Sequence, residues 1–165
     1  VNTIIRAYTE ADQKGCLEVF DSNLPKYFSI EERQDFATFL KQPSCVYLVM
    51  EQSGEVVGCG GYYVNRENRE AGLCWGLVHR RFHGTGLGKR LALERLERIL
   101  RQPEVGFIRL DTSQHTFGFF EKLGFVTENI TPNGYWDGLD RYDMRLRLDE
   151  TARQRIIQAY QGVQP

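Results

Sequence analysis

Three glycines fall at alternate positions in Phe82-His83-Gly84-Thr85-Gly86-Leu87-Gly88-Lys89, between an apolar run and a stretch of helical periodicity. Glycine lets a backbone come close to a ligand because no Cβ blocks the approach. A helix that starts just after such a loop points its first unpaired N–H groups back at it, which suits an anion. A phosphate-bearing ligand is the expected occupant. Two standard phosphate loops fail against these residues. A Walker A loop needs Gly-x-x-x-x-Gly-Lys followed by Ser or Thr; counting back from Gly88-Lys89 puts His83 at its first glycine and Arg90 at its magnesium-holding hydroxyl. A dinucleotide fingerprint needs Gly-x-Gly-x-x-Gly in the first βαβ unit, with an acidic residue about 20 positions on. Here the glycines alternate, and the loop lies mid-chain after a hairpin pattern. A plain strand-to-helix turn would use one or two glycines, not three. A phosphate cradle of another kind is the stronger reading, and a nucleotide-binding protein the weaker one.

Other chemistry finds less support. Cys16, Cys45, Cys59 and Cys74 show no paired spacing, and His79, His83 and His115 form no ligand pattern with them. Reduced thiols in a cytoplasmic protein without a metal are therefore expected. A formal net charge of −1 gives no basic excess for nucleic acid or an anionic membrane surface. No apolar run is long enough to span a bilayer. The 165 residues, 41% hydrophobic and 26% charged, match one soluble domain with a proper core, so residues 1–165 are expected to form a single domain.

The elements that would position the loop read as follows. Thr3 to Tyr8 is a first strand; Thr9 and Asp12 fit a capping box for a helix carrying Leu17, Val19 and Phe20 and ending near Asn23-Leu24-Pro25. Ser29 and Glu32 predict a second capping box, ahead of a helix with Phe36, Phe39 and Leu40. Cys45–Glu51 and Glu55–Val64 predict a hairpin about Gln52-Ser53-Gly54, with Gly58, Gly60 and Gly61 hinting at a bulge or a close backbone approach. A polar loop, Asn65–Glu70, precedes a strand over Ala71–Val78. After the glycines, Lys89–Gln102 is the strongest helix, with Ala92, Leu93, Leu96, Ile99 and Leu100 on one face. Phe107–Asp111 predicts a strand, His115–Leu123 a short helix, and Phe125-Val126-Thr127 the start of another strand. A loop at Thr131–Gly134 then leads to an alternating strand through Tyr142, Met144, Leu146 and Leu148. Asp149 caps a terminal helix, 149–161, beyond a core of about residues 3–148. The fold class is mixed α/β (α+β), not the strict alternation of a doubly wound sheet.

At Val78-His79-Arg80-Arg81-Phe82-His83-Gly84-Thr85-Gly86-Leu87-Gly88 the chain resembles the acetyl-CoA loop of the GNAT superfamily of N-acetyltransferases. Phe119-Phe120-Glu121-Lys122-Leu123-Gly124-Phe125 is similar to that family's Tyr-Glu-Lys-Leu-Gly-Phe segment, and the two occur in the right order. The resemblance implies a twisted mixed sheet of about seven strands, flanked by about four helices and splayed between its fourth and fifth strands, Ala71–Val78 and Phe107–Asp111. It implies that the pantetheine arm of acetyl-CoA hydrogen-bonds the backbone of Leu77 and Val78, like an added strand. The pyrophosphate would rest on the amides of His83, Gly84, Thr85, Gly86, Leu87, Gly88 and Lys89. Ser113 stands where the family has asparagine, and would bond the same arm.

Two departures bear on chemistry. His83 occupies the position usually held by Gln or Arg, although Arg81-x-x-Gly84-x-Gly86 satisfies the bare pattern two residues earlier. Phe120 replaces the tyrosine that often protonates the departing thiolate, and phenylalanine has no proton to give. The thiolate then leaves unassisted or to water, or Tyr142 or Tyr135 substitutes, or the protein is a non-catalytic acyl-CoA-binding or sensing module. Glu70 is the family's conventional place for a general base, and His115 a second group able to relay a proton. The acceptor, an amine on a small molecule, peptide or protein, would enter between Asn23–Phe28 and Tyr135–Asp140. There Tyr27, Tyr135 and Asp137 would meet a cation. Family habit leaves monomer or homodimer open.

Overall fold

The computed structural model describes residues 1–165. Its elements follow in the order β1 (Thr3–Ala7), a 3-10 turn (Glu10–Asp12), α1 (Gln13–Ser22), α2 (Glu32–Lys41), β2 (Val46–Gln52), β3 (Glu55–Asn65) and β4 (Glu70–Val78). A second 3-10 turn (Arg80–Phe82), α3 (Leu87–Leu100), β5 (Phe107–Thr112), α4 (Phe117–Lys122), β6 (Val126–Trp136), β7 (Leu139–Arg147) and α5 (Glu150–Val163) complete the chain. The strands form one mixed sheet in the order β1-β2-β3-β4-β5-β7-β6. This is the expected α+β architecture, with five helices rather than about four. No helix is long and apolar enough to cross a membrane. The chain divides into two units, Val1–Tyr62 with Cys74–Ala92, and Tyr63–Leu73 with Leu93–Pro165.

In the first unit, the predicted Thr9–Asp12 capping box is present. Asp12 accepts the Thr9 N–H at 2.9 Å and both terminal nitrogens of Arg6 at 2.8 Å. The apolar stripe of α1 (Cys16, Val19, Phe20) and that of α2 (Phe36, Leu40) pack with Tyr47, Val49, Cys59 and Leu77 in one cluster. Each large side chain removed from water there contributes about 1.5–3 kcal/mol. The second capping box does not form. Ser29 is buried with its hydroxyl unpartnered, and Glu31 occupies the position before α2 without a side-chain bond. The chain turns on the backbone instead, Ser29 O accepting from Glu32 N at 3.2 Å. The β2–β3 hairpin closes through Ser53 (φ 50°) and Gly54 (φ 82°), the pair of left-handed residues that a tight two-residue turn requires. Its register slips opposite Met50 and Glu51, leaving Val57 outside the ladder, which is the bulge that the β3 glycines foreshadow.

The second unit holds β5, β7 and β6 in antiparallel pairing, and the parallel ladder of β4 with β5. That ladder spans three residue pairs, Glu70–Phe107 to Gly72–Arg109, though both strands run on past it. Leu93, Leu96, Ile99, Ile108, Met144, Leu146 and Ile156 are its principal buried side chains. Along α3 two i,i+4 ion pairs form, Glu94–Arg98 at 3.1 Å and Glu97–Arg101 at 2.7 Å. Asp149 caps α5 by accepting from Ala152 N at 2.8 Å. Several boundaries differ from expectation, among them that of α3, which runs over Leu87–Leu100 rather than Lys89–Gln102. The segment Thr131–Gly134 is not a loop: β6 runs through it to Trp136, with a register shift between Thr131 and Trp136. Pro132 is tolerated there because β6 is the sheet's edge, where a missing N–H breaks no ladder. The short helix starts at Phe117 rather than His115, because Ser113 O takes the N–H groups of Thr116 and Phe117 in a preceding turn.

Candidate active site

The glycine loop lies in the first unit, and three bonds fix its entry. Val57 O accepts His79 N–H at 2.9 Å, Ser22 Oγ accepts Arg80 N–H at 3.0 Å, and buried Asn23 donates Nδ2–H to Val78 O at 3.0 Å. The last turn of α1 and the bulge of β3 thus hold the end of β4. His79 Nδ1 then caps the 3-10 turn by accepting from Arg81 N. Burial, and next the nearby Arg81 charge, hold the His79 imidazole below its ordinary value, so it is neutral at pH 7. Gly84 (φ 76°) and Gly86 (φ 89°) take left-handed conformations that a side chain resists. Arg90 N–H bonds Gly86 O, which makes Leu87, Gly88 and Lys89 the opening residues of α3, whose N–H groups no helical carbonyl can reach.

Not every loop amide points outward. His83 N–H donates to Arg80 O and Thr85 N–H to Phe82 O, while the Thr85 hydroxyl also bonds Phe82 O. His83 Nε2 lies 3.0 Å from Val78 O, so that carbonyl is engaged by both Asn23 and His83. The ring of Tyr27 meets His83 edge-on at 4.9 Å, joining a predicted acceptor residue to a predicted loop residue. Just upstream, Trp75 has φ 42°, a strained value for a bulky residue. The Tyr47 hydroxyl donates to its carbonyl at 2.8 Å.

The second unit contains the other predicted residues. Glu70 is engaged at both oxygens, by Arg109 at 2.8 Å and Asn68 at 3.4 Å. Arg109 also faces Glu128 at 3.6 Å. Tyr142 stacks on Phe117 with ring centroids 4.3 Å apart, and shares no hydrogen bond with Glu70. Phe120 packs edge-on against Phe119 and Phe125. Ser113 is buried, its Oγ accepting from His115 N at 3.2 Å. Tyr135 donates its hydroxyl to Asp111 in a short hydrogen bond. Arg141 joins Asp143 at 2.9 Å and approaches Asp111 at 3.7 Å, the Asp143 bond chiefly holding its guanidinium above the ordinary range. Asp137 is exposed at the β6–β7 turn, whereas Asp140 accepts from Asn133 N within that hairpin.

A model of the Acetyltransferase (GNAT) family matches residues 14–125, more than half of the chain. The chain belongs to the GNAT acetyltransferase family. It is an acyltransferase by that membership. The ribosomal-protein-S18-alanine N-acetyltransferase of Escherichia coli superposes with a TM-score of 0.73 at 18% identity, over 90% of this chain and 95% of that one. Ard1 from Thermoplasma volcanium does so at 0.71 and 25% identity, over 91% and 100%. The ribosomal-protein-alanine N-acetyltransferase of Brucella melitensis gives 0.66 and 22%, over 88% and 99%. A search of curated proteins returns no match.

Within this acetyltransferase, sequence reasoning missed Ser22 and Val57 and placed Asn23 in the acceptor-entry segment, whereas all three anchor the loop. Their partners lie 58, 55 and 22 residues on, at Arg80, Val78 and His79. Local spacing cannot reveal such bonds. A signal for Asn23 did exist, since a polar residue closing an apolar helical stripe calls for a buried partner.

Proposed function

We propose that this GNAT enzyme transfers the acetyl group of acetyl-CoA to a primary amine on a small molecule or peptide, all 165 residues acting as one catalytic domain. The observation that carries the reading is Gly88. Its backbone is helical rather than left-handed, and an added Cβ would sit 3.8 Å from Val78 Cγ2, in ordinary contact. Neither conformation nor crowding inside the protein calls for glycine there, whereas a pyrophosphate resting on the helix N-terminus does.

In this reading the amides of Gly84, Gly86, Leu87, Gly88 and Lys89 hold the pyrophosphate. His83 and Thr85 shape the loop with their amides turned onto carbonyls. The pantetheine arm runs along Leu77 and Val78. Asn23 keeps Val78 in place, and the exposed His83 ring is the partner that yields. Ser113 keeps a hydroxyl proton to donate to the arm, because its oxygen only accepts from His115 N. Phe120 gives the thiolate an apolar neighbour and no acid, so water or the hydroxyl of Tyr142 or Tyr135 returns its proton. Glu70 serves as base once Arg109 shifts away from it. Tyr135 and Asp137 receive the amine, Asp137 supplying the negative charge that an ammonium seeks.

The test is thiol release from acetyl-CoA across a panel of amines, amino acids and peptides with unblocked N-termini. Turnover with at least one acceptor is expected. Tight acetyl-CoA binding by calorimetry, with no thiol release on any of them, would overturn the transfer reading and leave a binding module.

A further inference from the structure

The four cysteines, unpaired by spacing in the sequence, fall into two pairs within the first unit. Cys45, which leads into β2, and Cys74, in β4, bring their sulfurs to 3.0 Å. Both residues are half-buried. Strand β3 lies between their strands and would ordinarily hold such side chains apart. It does not, because the β3 residue beside Cys45 is Gly61. A Cβ there would lie 2.7 Å from Cys45 Sγ, 2.8 Å from Tyr47 Cδ1 and 2.9 Å from Val46 O. The bare position lets one sulfur lean across to the other. The left-handed Trp75 follows Cys74 directly, and its carbonyl is fixed by Tyr47.

We propose that Cys45 and Cys74 are a redox pair, which a low-molecular-weight disulfide such as oxidised glutathione converts to an intramolecular disulfide. One thiol loses its proton, and its thiolate attacks a sulfur of the glutathione disulfide. The glutathione S–S bond breaks, a protein–glutathione mixed disulfide forms, and the first glutathione thiolate leaves and takes up a proton. The second cysteine then gives up its proton and attacks the protein sulfur of the mixed disulfide, expelling the second glutathione as its thiol. The protein loses two protons and two electrons, and one glutathione disulfide takes them up to become two thiols.

The second pair provides the contrast. Cys16 and Cys59 are fully buried. Contact with Cys59, together with burial, pushes the Cys16 thiol far above its ordinary value. Both are sealed from a soluble oxidant, and the Cys16 thiol is held protonated. Oxidation should therefore select Cys45 and Cys74.

The experiment uses the full chain, reduced and desalted, then exposed to graded mixtures of oxidised and reduced glutathione. Digestion without reduction, by trypsin and a glutamate-specific protease, separates Cys45 from Cys59 at Glu51 and Glu55. A cross-linked peptide pair containing Cys45 and Cys74 is expected, with the intact mass about 2 Da lower for the two lost hydrogens. In Cys74→Ser the remaining Cys45 should retain a stable glutathione adduct, as should Cys74 in Cys45→Ser. The oxidised wild type should melt no lower than the reduced protein. Links to Cys16 or Cys59, separate adducts persisting on both cysteines of the wild type, or a lower melting temperature on oxidation would each overturn the proposal. None of these readouts depends on acetyl transfer.

Discussion

At Gly88 and Phe120 one side chain decides between packing and chemistry. Gly88→Ala adds a methyl group for which the first turn of α3 has room, at 3.8 Å from Val78 Cγ2. The unliganded protein should gain about 0.5 kcal/mol in thermal denaturation from reduced chain entropy. Acetyl-CoA affinity should fall at least about tenfold by calorimetry, about 1.4 kcal/mol. An unchanged affinity would remove Gly88 from the cradle. Gly84 and Gly86 cannot separate the two effects, because their left-handed backbone makes any substitution costly in itself. Phe120→Tyr restores the hydroxyl the family usually supplies. If thiolate protonation limits turnover, kcat should rise by about 10²-fold, the size of one general acid. If kcat stays constant while acetyl-CoA binding is retained, the thiolate leaves without help from this position. The glycine spacing and the Phe120 departure are both legible in sequence because each is a local identity. The double engagement of Val78 O by Asn23 and His83 is not, since it needs three segments brought together.

Among the elements, β1 is tied to the start of α1 by ion pairing. Arg6 meets Asp12 through two bonds of 2.8 Å and Glu51 at 3.0 Å. The Arg6 bond is the chief reason that Asp12 titrates below its ordinary 3.8. A carboxyl depressed in the native state contributes stability that is complete above its unfolded value and is lost as pH falls through the native one. Wild-type stability should therefore drop on acidification from about pH 4 downward, part of that drop belonging to Asp12. Asp12→Asn should be about 1–3 kcal/mol less stable at pH 7, and should show a shallower loss below pH 4, in urea titrations across that range. The Thr9–Asp12 box was readable because both partners lie within one turn. The Ser29 box fails for a tertiary reason: Ser29 is drawn into the interior, and its hydroxyl does not reach the helix start. The full length of β6 is not legible in sequence, because Pro132 signals a break unless the strand is known to be an edge. Edge position depends on β7 inserting between β5 and β6, a long-range fact.

For the molecule as a whole, the family match ends at residue 125, before any of β6, β7 or α5. The structure implies that a fragment 14–125 cannot stand alone. Strand β5 pairs with β7 at six positions and with β4 at three, so the cut would bare its longer ladder. It would also remove Met144, Leu146 and Ile156, all buried. At about 1.5–3 kcal/mol each, these three side chains approach the whole stability of a typical domain, about 5–15 kcal/mol. The fragment should show no cooperative thermal transition by circular dichroism, while the full chain melts cooperatively. A cooperative fragment would mean that β7 is dispensable. The order of elements and the seven strands were legible from alternation and helical stripes, but the placement of β7 was not, since no local pattern encodes which strand a neighbour will be. The tight Ser53-Gly54 turn bears on time as well as shape. Strands β2 and β3 meet across two residues, so their pairing requires almost no loop closure and can form within about 1–10 μs. Strand β5 must wait for β7 to arrive from beyond α4 and β6. The chain therefore has an early clock at one hairpin and a late one at β7, and the interval between them is when β5 presents an unpaired edge to its neighbours in a crowded solution.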